Sequence, residues 1–465
     1  MLPALGNNSI SARQRFDGFL ASPVYIGCLA LLTLLANIFS LELALYGLFA
    51  AIVVYCCVAG NDLLPMMPIF IFSYIAPSVQ NNPGRNPNST FSGAGGICIL
   101  AIAGVIAVSV IFYVIRNRKR FGERKYTLLS SMLILTAAYL LGGIGCKGYG
   151  DLVGKHLVFA LLQGLSILVP YCLFVGGVNW EKTRKDYFGW LGFCAGWVLF
   201  LEIVFIYCSA GVVIDGIIHR DQIYTGWGIH NNLGGMLAMM IPFSFYLATR
   251  YHKGWLGTVC GSVFLIGVLL SCSRNAILVG SAMYLACVIL MLFYAHDRKT
   301  TTITVVAFGS VALVLFSLFY QPLLQLFSDL LDLGFDPNSR DSIYADGMRL
   351  FARYPIFGGS FFSTEFVPWD WSTVSKFSGF FAPRWHNTIV QMLASCGIVG
   401  LVAYLFHRVQ TTKLFAKKLT QETTFIGGSI IALLICSLFD CHFFNIGPTL
   451  FYAMALAFAE QHKNT

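Results

Sequence analysis

The sequence predicts an all-α polytopic membrane protein with about 12–14 transmembrane helices and one large extracytoplasmic loop, at about 321–385, that contains short amphipathic helices. The 465 residues are 57% hydrophobic and only 11% charged, whereas about a quarter of the residues in a soluble protein are charged. Apolar runs of about twenty residues, the length that crosses a bilayer, recur along the whole chain. These observations exclude a soluble globular protein.

Fourteen apolar segments are expected to form the helices. They lie near 24–39, 43–59, 63–76, 94–115, 127–144, 153–178, 188–208, 229–248, 255–271, 277–295, 302–320, 386–406, 424–441 and 445–460. The third segment is short and rich in proline, so a re-entrant segment stays open as an alternative to a span. The polar N-terminus has no cleavage site, and the first apolar segment is therefore expected to act as an uncleaved signal anchor.

The basic residues predict how the helices are oriented. With the N-terminus in the cytoplasm, every strongly basic cluster falls on a cytoplasmic loop, as the positive-inside rule requires. These loops and the two termini hold about 20 of the 30 Lys and Arg residues. Both termini are therefore predicted to be cytoplasmic. The net charge of +9 is read as a topological signal, and no nucleic-acid partner is expected.

The loop at 321–385 is far longer than packing requires, and long loops of this kind are usually functional. Its segment NSRDSIYADGMRLFARYP, 338–355, has the pattern of an amphipathic helix that ends at Pro355. The GGS sequence at 358–360 is expected to act as a hinge. The segment 366–386 is dense in Trp and Phe, which either form an interfacial belt or stack on sugar rings.

Several polar side chains are expected to converge on the extracytoplasmic face. The arginines of the set either bind a ligand or simply reach lipid headgroups, and the histidines either take part in chemistry or cap helices. Glu202 is expected by default to pair with a basic neighbour and fix helix packing. The set comprises Glu202, His230, Asn231, Arg274, Arg340, Arg349, Arg353, Arg384, Trp385, His386, Asn387, Asp440 and His442.

This combination of residue types points to transfer chemistry on a phosphate-bearing lipid. The planar guanidinium group pairs with phosphate oxygens and stays charged, and a histidine accepts a proton from an attacking hydroxyl near neutral pH. No acidic motif of the DxD kind occurs in the large loop. We therefore expect a metal-independent reaction with no cofactor, and we read the fourteen cysteines as packing residues because most lie in apolar runs.

Four segments together carry a family resemblance. In chain order, GIHNNLGGMLAMMIPFSFYLA, SRNAILVG, RLFARYPIFGGSFF and HNTIVQMLASCGIVGL resemble motifs of the O-antigen ligase and O-antigen polymerase superfamily of bacterial envelope enzymes. The resemblance covers roughly 225–410. It implies three parts: N-terminal transmembrane helices at 1–224, a catalytic region at 225–410 that includes the loop, and a C-terminal helix pair at 411–465.

The resemblance implies a membrane glycosyltransferase of the GT-C-like kind in the bacterial cytoplasmic (inner) membrane. Its donor would be an undecaprenyl-pyrophosphate-linked oligosaccharide, and its acceptor a glycan or a lipid. His386 would be the general base, and Arg274 and Arg340 would bind the pyrophosphate as further catalytic residues. The residues expected to bind substrate are His230, Asn231, Arg349, Arg353, Arg384, Trp385 and Asn387.

One local departure favours a particular reaction within this superfamily. Some ligases carry H-x-H-N, whereas this chain reads Arg384-Trp385-His386-Asn387. The missing first histidine favours a polymerase of O-antigen, capsule or exopolysaccharide repeats over a ligase that transfers glycan to a lipid or protein acceptor. A lipid-linked oligosaccharide flippase and a non-catalytic scaffold that binds other polysaccharide assembly proteins stay open as alternatives.

Overall fold

The computed structural model is a helical bundle with two small β-hairpins. It describes residues 11–75, 93–209, 212–214, 217–219, 222–225, 228–332, 337–363, 365–366, 384–417 and 419–461. The helices are α1 Ala12–Leu20, α2 Pro23–Phe39, α3 Glu42–Val54, α4 Met66–Ile75, α5 Gly93–Arg116, α6 Arg118–Glu123, α7 Leu129–Leu141, α8 Tyr149–Gly177, α9 Tyr187–Ser209, α10 His230–Arg250, α11 Gly254–Leu270, α12 Arg274–Tyr294, α13 Arg298–Asp332, α14 Pro337–Arg353, α15 Thr388–Lys417, α16 Gln421–Phe439 and α17 Ile446–Gln461.

Short irregular elements join these helices. A π-helical turn at Tyr55–Ala59 extends α3, and a 3-10 turn at His442–Phe444 separates α16 from α17. Two antiparallel hairpins precede α10, and each pairs two strands of two residues. The strands are β1 Val213–Ile214, β2 Ile217–Ile218, β3 Tyr224–Thr225 and β4 Gly228–Ile229.

The membrane-spanning character of the chain follows from the lengths of these helices. Among the described residues, eight helices are long and apolar enough to cross a membrane, and a ninth span results if α1 and α2, which are bent by 68°, count as one. Each of the fourteen predicted apolar segments coincides with a helix. The predicted all-α polytopic membrane fold is confirmed. The ten residues of α4 rise only about 15 Å, too little to cross the bilayer alone.

Helix α10 lies at the centre of the bundle. Its apolar stretch is 94% buried, and it packs against α9, α11, α12 and α16. Such burial requires a helix that is apolar on all sides, which the sequence NLGGMLAMMIPFSFYLA provides. Helix α5 is the opposite case, because its apolar stretch is only 11% buried and it packs mainly on α3.

Helix α15 is interrupted at Gly397, in the first third of its length, and a segment of the large loop packs against the interruption. Gly397 has φ 65° and ψ −160°, so the helical hydrogen bonds are interrupted there. The loop backbone supplies replacements: Gly359 N–H donates to Ala394 O at 2.7 Å, and Ile398 N–H donates to Pro355 O at 2.9 Å. Within a membrane bundle, irregular backbone is tolerated where protein groups satisfy it in this way.

This arrangement corrects one expectation about the loop. The predicted hinge at 358–360 is wrong, because all three residues are buried and the N–H groups of Gly359 and Ser360 donate to carbonyl groups of α15. The glycines are needed for close approach, since a Cβ on Gly358 would overlap the backbone of Ser395. The GGS sequence is therefore a docking segment.

The loop helix is present, with altered limits. Helix α14 covers 337–353, and its buried side packs Ile343 and Leu350 against Trp385 and Ala394. Helix α13 continues to Asp332, so it includes the first twelve residues, 321–332, of the expected loop. Most of the aromatic-rich segment, 367–383, lies outside the described residues, so the choice between an interfacial belt and sugar stacking stays open.

Candidate functional site

The centre of the candidate site is a contact between His386 and Asp440. His386 precedes the first turn of α15 and has a left-handed backbone, φ 47°. Asp440 is the residue that ends α16. His386 Nδ1 lies 3.2 Å from Asp440 Oδ1, and the two side chains are 23% and 8% exposed. The histidine is thus reachable, while its carboxylate partner is buried behind it.

The electrostatic surroundings keep Asp440 ionised. Burial by itself raises the pKa of this carboxyl, but the hydrogen bond to His386 and the positive charges of His442, His386 and Arg384 outweigh that effect, so the pKa lies well below its usual range. A carboxylate facing Nδ1 holds the imidazole proton on that nitrogen. In that tautomer Nε2 carries the lone pair and is the ring nitrogen that can accept a proton.

Gln391 determines how the chain enters α15. Its side-chain Oε1 accepts a hydrogen bond from Trp385 N–H at 3.0 Å, and its Nε2 donates to Ser395 Oγ at 2.8 Å. The Tyr344 hydroxyl of α14 donates to the carbonyl of His386 at 3.3 Å. Gln391 was not among the residues predicted for the site, although a glutamine five residues after the histidine in an apolar helix was the available signal.

Two residues beside His386 have structural roles that the sequence analysis did not predict. Asn387 caps α15, since its Oδ1 accepts from the N–H groups of Ile389 and Val390 at 2.8 and 3.2 Å, and its Nδ2 donates to Leu438 O at 2.8 Å. Trp385 is only 3% exposed and packs under α14. The expectation that Trp385 contacts substrate is wrong for this structure, because the ring fills the gap between two helices.

Arg384 links the site to α10 and α17. Its guanidinium donates to Asn445 Oδ1 and, at 3.4 Å, to Phe444 O. Asn445 Nδ2 in turn donates to Asn232 Oδ1 at 2.8 Å, at the start of α10. His230 and Asn231 are half-buried in this same first turn. The predicted residues of α10 and of 384–387 therefore meet at one end of the bundle.

Arg274 begins α12 at the same end. Ser273 caps this helix through Ala276 N–H, and Asn275 Nδ2 donates to Cys436 O at 3.0 Å. Cys436 lies one turn before Asp440 on α16. The half-buried Arg274 is thus attached to the helix end that carries the carboxylate.

The loop arginines are placed differently. Arg349 pairs with Asp346 at 2.8 Å and Arg353 with Glu365 at 3.2 Å, and both arginines are more than half exposed. The structure pairs them with these acids on the exposed side of α14 and does not bring them to His386. Arg340 lies in the first turn of α14, and its side chain lies outside the described part of the chain.

His442 is a buried histidine behind the pair. It packs on α10, where a Cβ on Gly235 would lie 2.9 Å from its Nε2. Burial lowers the pKa of His442, although the charge of Asp440 opposes this effect. Neither of its ring nitrogens, nor Asp440 Oδ2, has a hydrogen-bond partner among the described residues.

The predicted pairing of Glu202 with a basic residue is wrong, since Asn37 of α2 donates to it.

The fold and the site together define a polytopic membrane protein with a histidine–aspartate pair and arginines at one end of its bundle. Residues 259–405 match the family model described as O-Antigen ligase. The match confirms the resemblance to the O-antigen ligase and polymerase superfamily and supports a membrane glycosyltransferase of that type. It includes Arg274 and His386 and ends before Asp440. No curated protein shows significant similarity to the chain.

Proposed function

We propose that this protein joins undecaprenyl-pyrophosphate-linked glycans on the extracytoplasmic face of the bacterial inner membrane, as a polymerase of O-antigen, capsule or exopolysaccharide repeats. The observation that carries the proposal is the His386–Asp440 pair at the start of α15. Its histidine lies within the segment that matches the O-antigen ligase family. A pair of this kind activates a hydroxyl group, which is the nucleophile in glycan transfer.

In the proposed reaction, a sugar hydroxyl of one lipid-linked glycan attacks the anomeric carbon of another. His386 Nε2 takes the hydroxyl proton as the new C–O bond forms, and the bond between the anomeric carbon and the pyrophosphate oxygen breaks. Asp440 stabilises the imidazolium that results. The lipid pyrophosphate leaves as an anion, and His386 then releases its proton to water.

Arginine side chains are proposed to stabilise the negative charge that develops on the leaving pyrophosphate. Arg274 starts α12 at the end of the bundle that carries Asp440, and a guanidinium group stabilises phosphate oxygens through two parallel hydrogen bonds. Arg384, beside His386, contributes positive charge to the same region. We propose on this basis that the transfer is metal-independent. A role for Arg340 stays part of the proposal.

A ligase that transfers finished glycan to a lipid or protein acceptor is the second candidate. The description of the matched family favours the ligase. The presence of Arg384 at the position where some ligases carry the first histidine of H-x-H-N favours the polymerase. Both reactions use the same donor and the same base, so the acceptor alone distinguishes them.

Gel profiling of lipid-linked glycans and surface polysaccharide in a deletion strain separates these candidates. The strain is complemented with wild type, Arg274→Ala or His386→Ala. A polymerase predicts single repeat units in the deletion strain and no restored chain length with either variant. Long glycan that stays on the undecaprenyl lipid indicates a ligase. Full polymer output from His386→Ala would contradict both reactions. Movement of labelled lipid across vesicles without any joining of glycans would instead indicate a transporter.

A further inference from the structure

A continuous series of contacts runs from the middle of the N-terminal half to His386. It begins at His156 on α8, passes through the docked loop segment and the break in α15, and ends at the left-handed turn before that helix. Each link is a hydrogen bond or a covalently adjacent residue. His156 lies outside the segment that matches the O-antigen ligase family.

His156 holds the loop segment with a defined tautomer. Phe361 N–H donates to His156 Nδ1 at 3.2 Å, so Nδ1 carries no proton, and Nε2–H donates to Tyr139 O at 2.9 Å. The Ser360 hydroxyl lies 3.0 Å from the same Nδ1. The ring also stacks on Phe361, with centroids 5.4 Å apart. A buried histidine with both nitrogens satisfied fixes its neighbours strongly.

The loop segment passes this constraint to α15. Ser360 N–H donates to Ser395 O at 3.2 Å, directly before the break at Gly397. Gly143, which follows the end of α7 by two residues, packs on the other side of the loop segment, since a Cβ there would lie 2.6 Å from Ser360 Cβ. The first two turns of α15 therefore cannot shift along the helix axis without breaking these contacts.

Gln391 carries the constraint to the turn that presents His386. Its amide joins Ser395 Oγ to Trp385 N–H, and it is only 2% exposed. A left-handed backbone is unfavourable for a residue with a side chain and persists only where the surroundings enforce it. The Gln391 side chain fixes the backbone of Trp385, the residue before His386, by accepting a hydrogen bond from its N–H group.

We propose that Gln391 and His156 are positioning residues that hold His386 in its left-handed, proton-accepting orientation against Asp440. The inference rests on the proposed function, because orientation of a base matters only if His386 is one. It assigns a part in the site to the N-terminal half of the chain, and it assigns Gln391 a role that is exerted through Trp385.

The test uses the full-length protein in nanodiscs, with lipid-linked oligosaccharide extracted from the deletion strain as substrate. Gln391→Met keeps the side-chain length and removes the hydrogen bonds of the amide group, including the one that Oε1 accepts from Cys441 Sγ at 3.6 Å. We expect its kcat to fall by about 10²-fold with little change in KM, the size of effect that misplacement of a catalytic group by about 1 Å produces. Gln391→Glu should recover most of the rate, because one carboxylate oxygen accepts from Trp385 N–H and the other from the Ser395 hydroxyl.

The bundle offers a matched control for His156. His407 on α15 is likewise buried and makes two side-chain hydrogen bonds, at 2.9 Å to Ser131 Oγ and at 2.9 Å to the Tyr452 hydroxyl. His156→Ala and His407→Ala should lower the thermal midpoint by similar amounts. Only His156→Ala should lower kcat. Equal effects of the two variants on kcat would overturn the inference.

A second readout does not depend on transfer activity. The rate at which diethyl pyrocarbonate modifies His386, followed by mass spectrometry, should change in Gln391→Met and His156→Ala and stay at the wild-type value in His407→Ala. Ser395→Ala removes one hydroxyl and serves the same test if Gln391→Met does not fold. Wild-type kcat and wild-type labelling in these variants would refute the positioning role. A wild-type protein that joins no glycan would instead refute the proposed function, and the labelling rates would still decide the inference.

Discussion

His386 Nδ1 and Asp440 Oδ1 lie 3.2 Å apart, and this contact joins the start of α15 to the end of α16. The two residues are 54 positions apart in the sequence. The carboxylate is the more buried partner, so it contacts the imidazole from the interior side of the bundle.

Replacement of Asp440 by Asn tests this orientation. The amide keeps the shape of the side chain but no longer enforces a proton on Nδ1, and it removes the charge that stabilises the imidazolium. We expect transfer activity to fall by about 10²–10⁴-fold, the usual contribution of a positioned proton acceptor. The rate of glycan joining by purified protein measures the effect.

The Asp440→Asn variant needs a check on folding, because the side chain is buried. Size-exclusion elution and the thermal midpoint should remain close to those of wild type. A correctly folded Asp440→Asn protein with undiminished activity would show that the carboxylate has no role in proton transfer.

Arg274→Lys tests whether the guanidinium fork is required. Lysine keeps the positive charge at the start of α12 but contacts phosphate as a point charge. We expect a loss of most activity, with Arg349→Lys on the exposed side of α14 as the matched control that retains it. Polymer length in the complemented deletion strain is the measurement, and equal polymer from both lysine variants would contradict the assignment.

Gly397→Ala tests the break in α15. Its backbone conformation is one that only glycine adopts readily, and an added Cβ would overlap the carbonyl oxygen of Ile356. We expect a loss of about 1–3 kcal/mol of stability or more from strain alone, seen as a lower thermal midpoint. Gly104→Ala on the exposed helix α5, where a Cβ meets nothing within 4 Å, should leave the midpoint unchanged or slightly raised.

Gly235→Ala tests the packing of α10 against His442. The new methyl group would lie 2.9 Å from His442 Nε2, so the ring must shift next to Asp440. We expect transfer to fall several-fold while the protein stays folded. Gly428→Ala on α16 is the control, because its nearest neighbour, Met283 Sδ, is at an ordinary contact distance of 3.5 Å. Identical activity of the two alanine variants would exclude an influence of the His442 position.

Much of the fold was predictable because lipid imposes a simple rule on sequence. A chain that crosses a bilayer must do so as apolar helices, and each predicted segment is indeed a helix. The limits of α13 were not predictable, since Tyr320 and the residues after it continue the helix without a change in pattern. The hinge at 358–360 was misread because glycine permits both a flexible joint and a close backbone contact.

The site was predictable in its residue types and less so in their roles. His386, Arg384 and Arg274 lie at one end of the bundle, as expected from topology. Asn387 and Trp385 were assigned to substrate because an exposed motif and a structural one look alike in sequence. Only the tertiary structure shows that Asn387 caps α15 and that Trp385 fills a gap under α14.

The sequence by itself determined that this is a helical membrane protein and which end of its helices carries the polar residues, because hydropathy and charge act locally along the chain. Tertiary structure decided which polar residues meet. Asp440 faces His386, Gln391 holds Trp385, and His156 reaches Ser360 across 204 positions of sequence. Such pairings depend on how helices pack and where α15 breaks, and no local pattern records them.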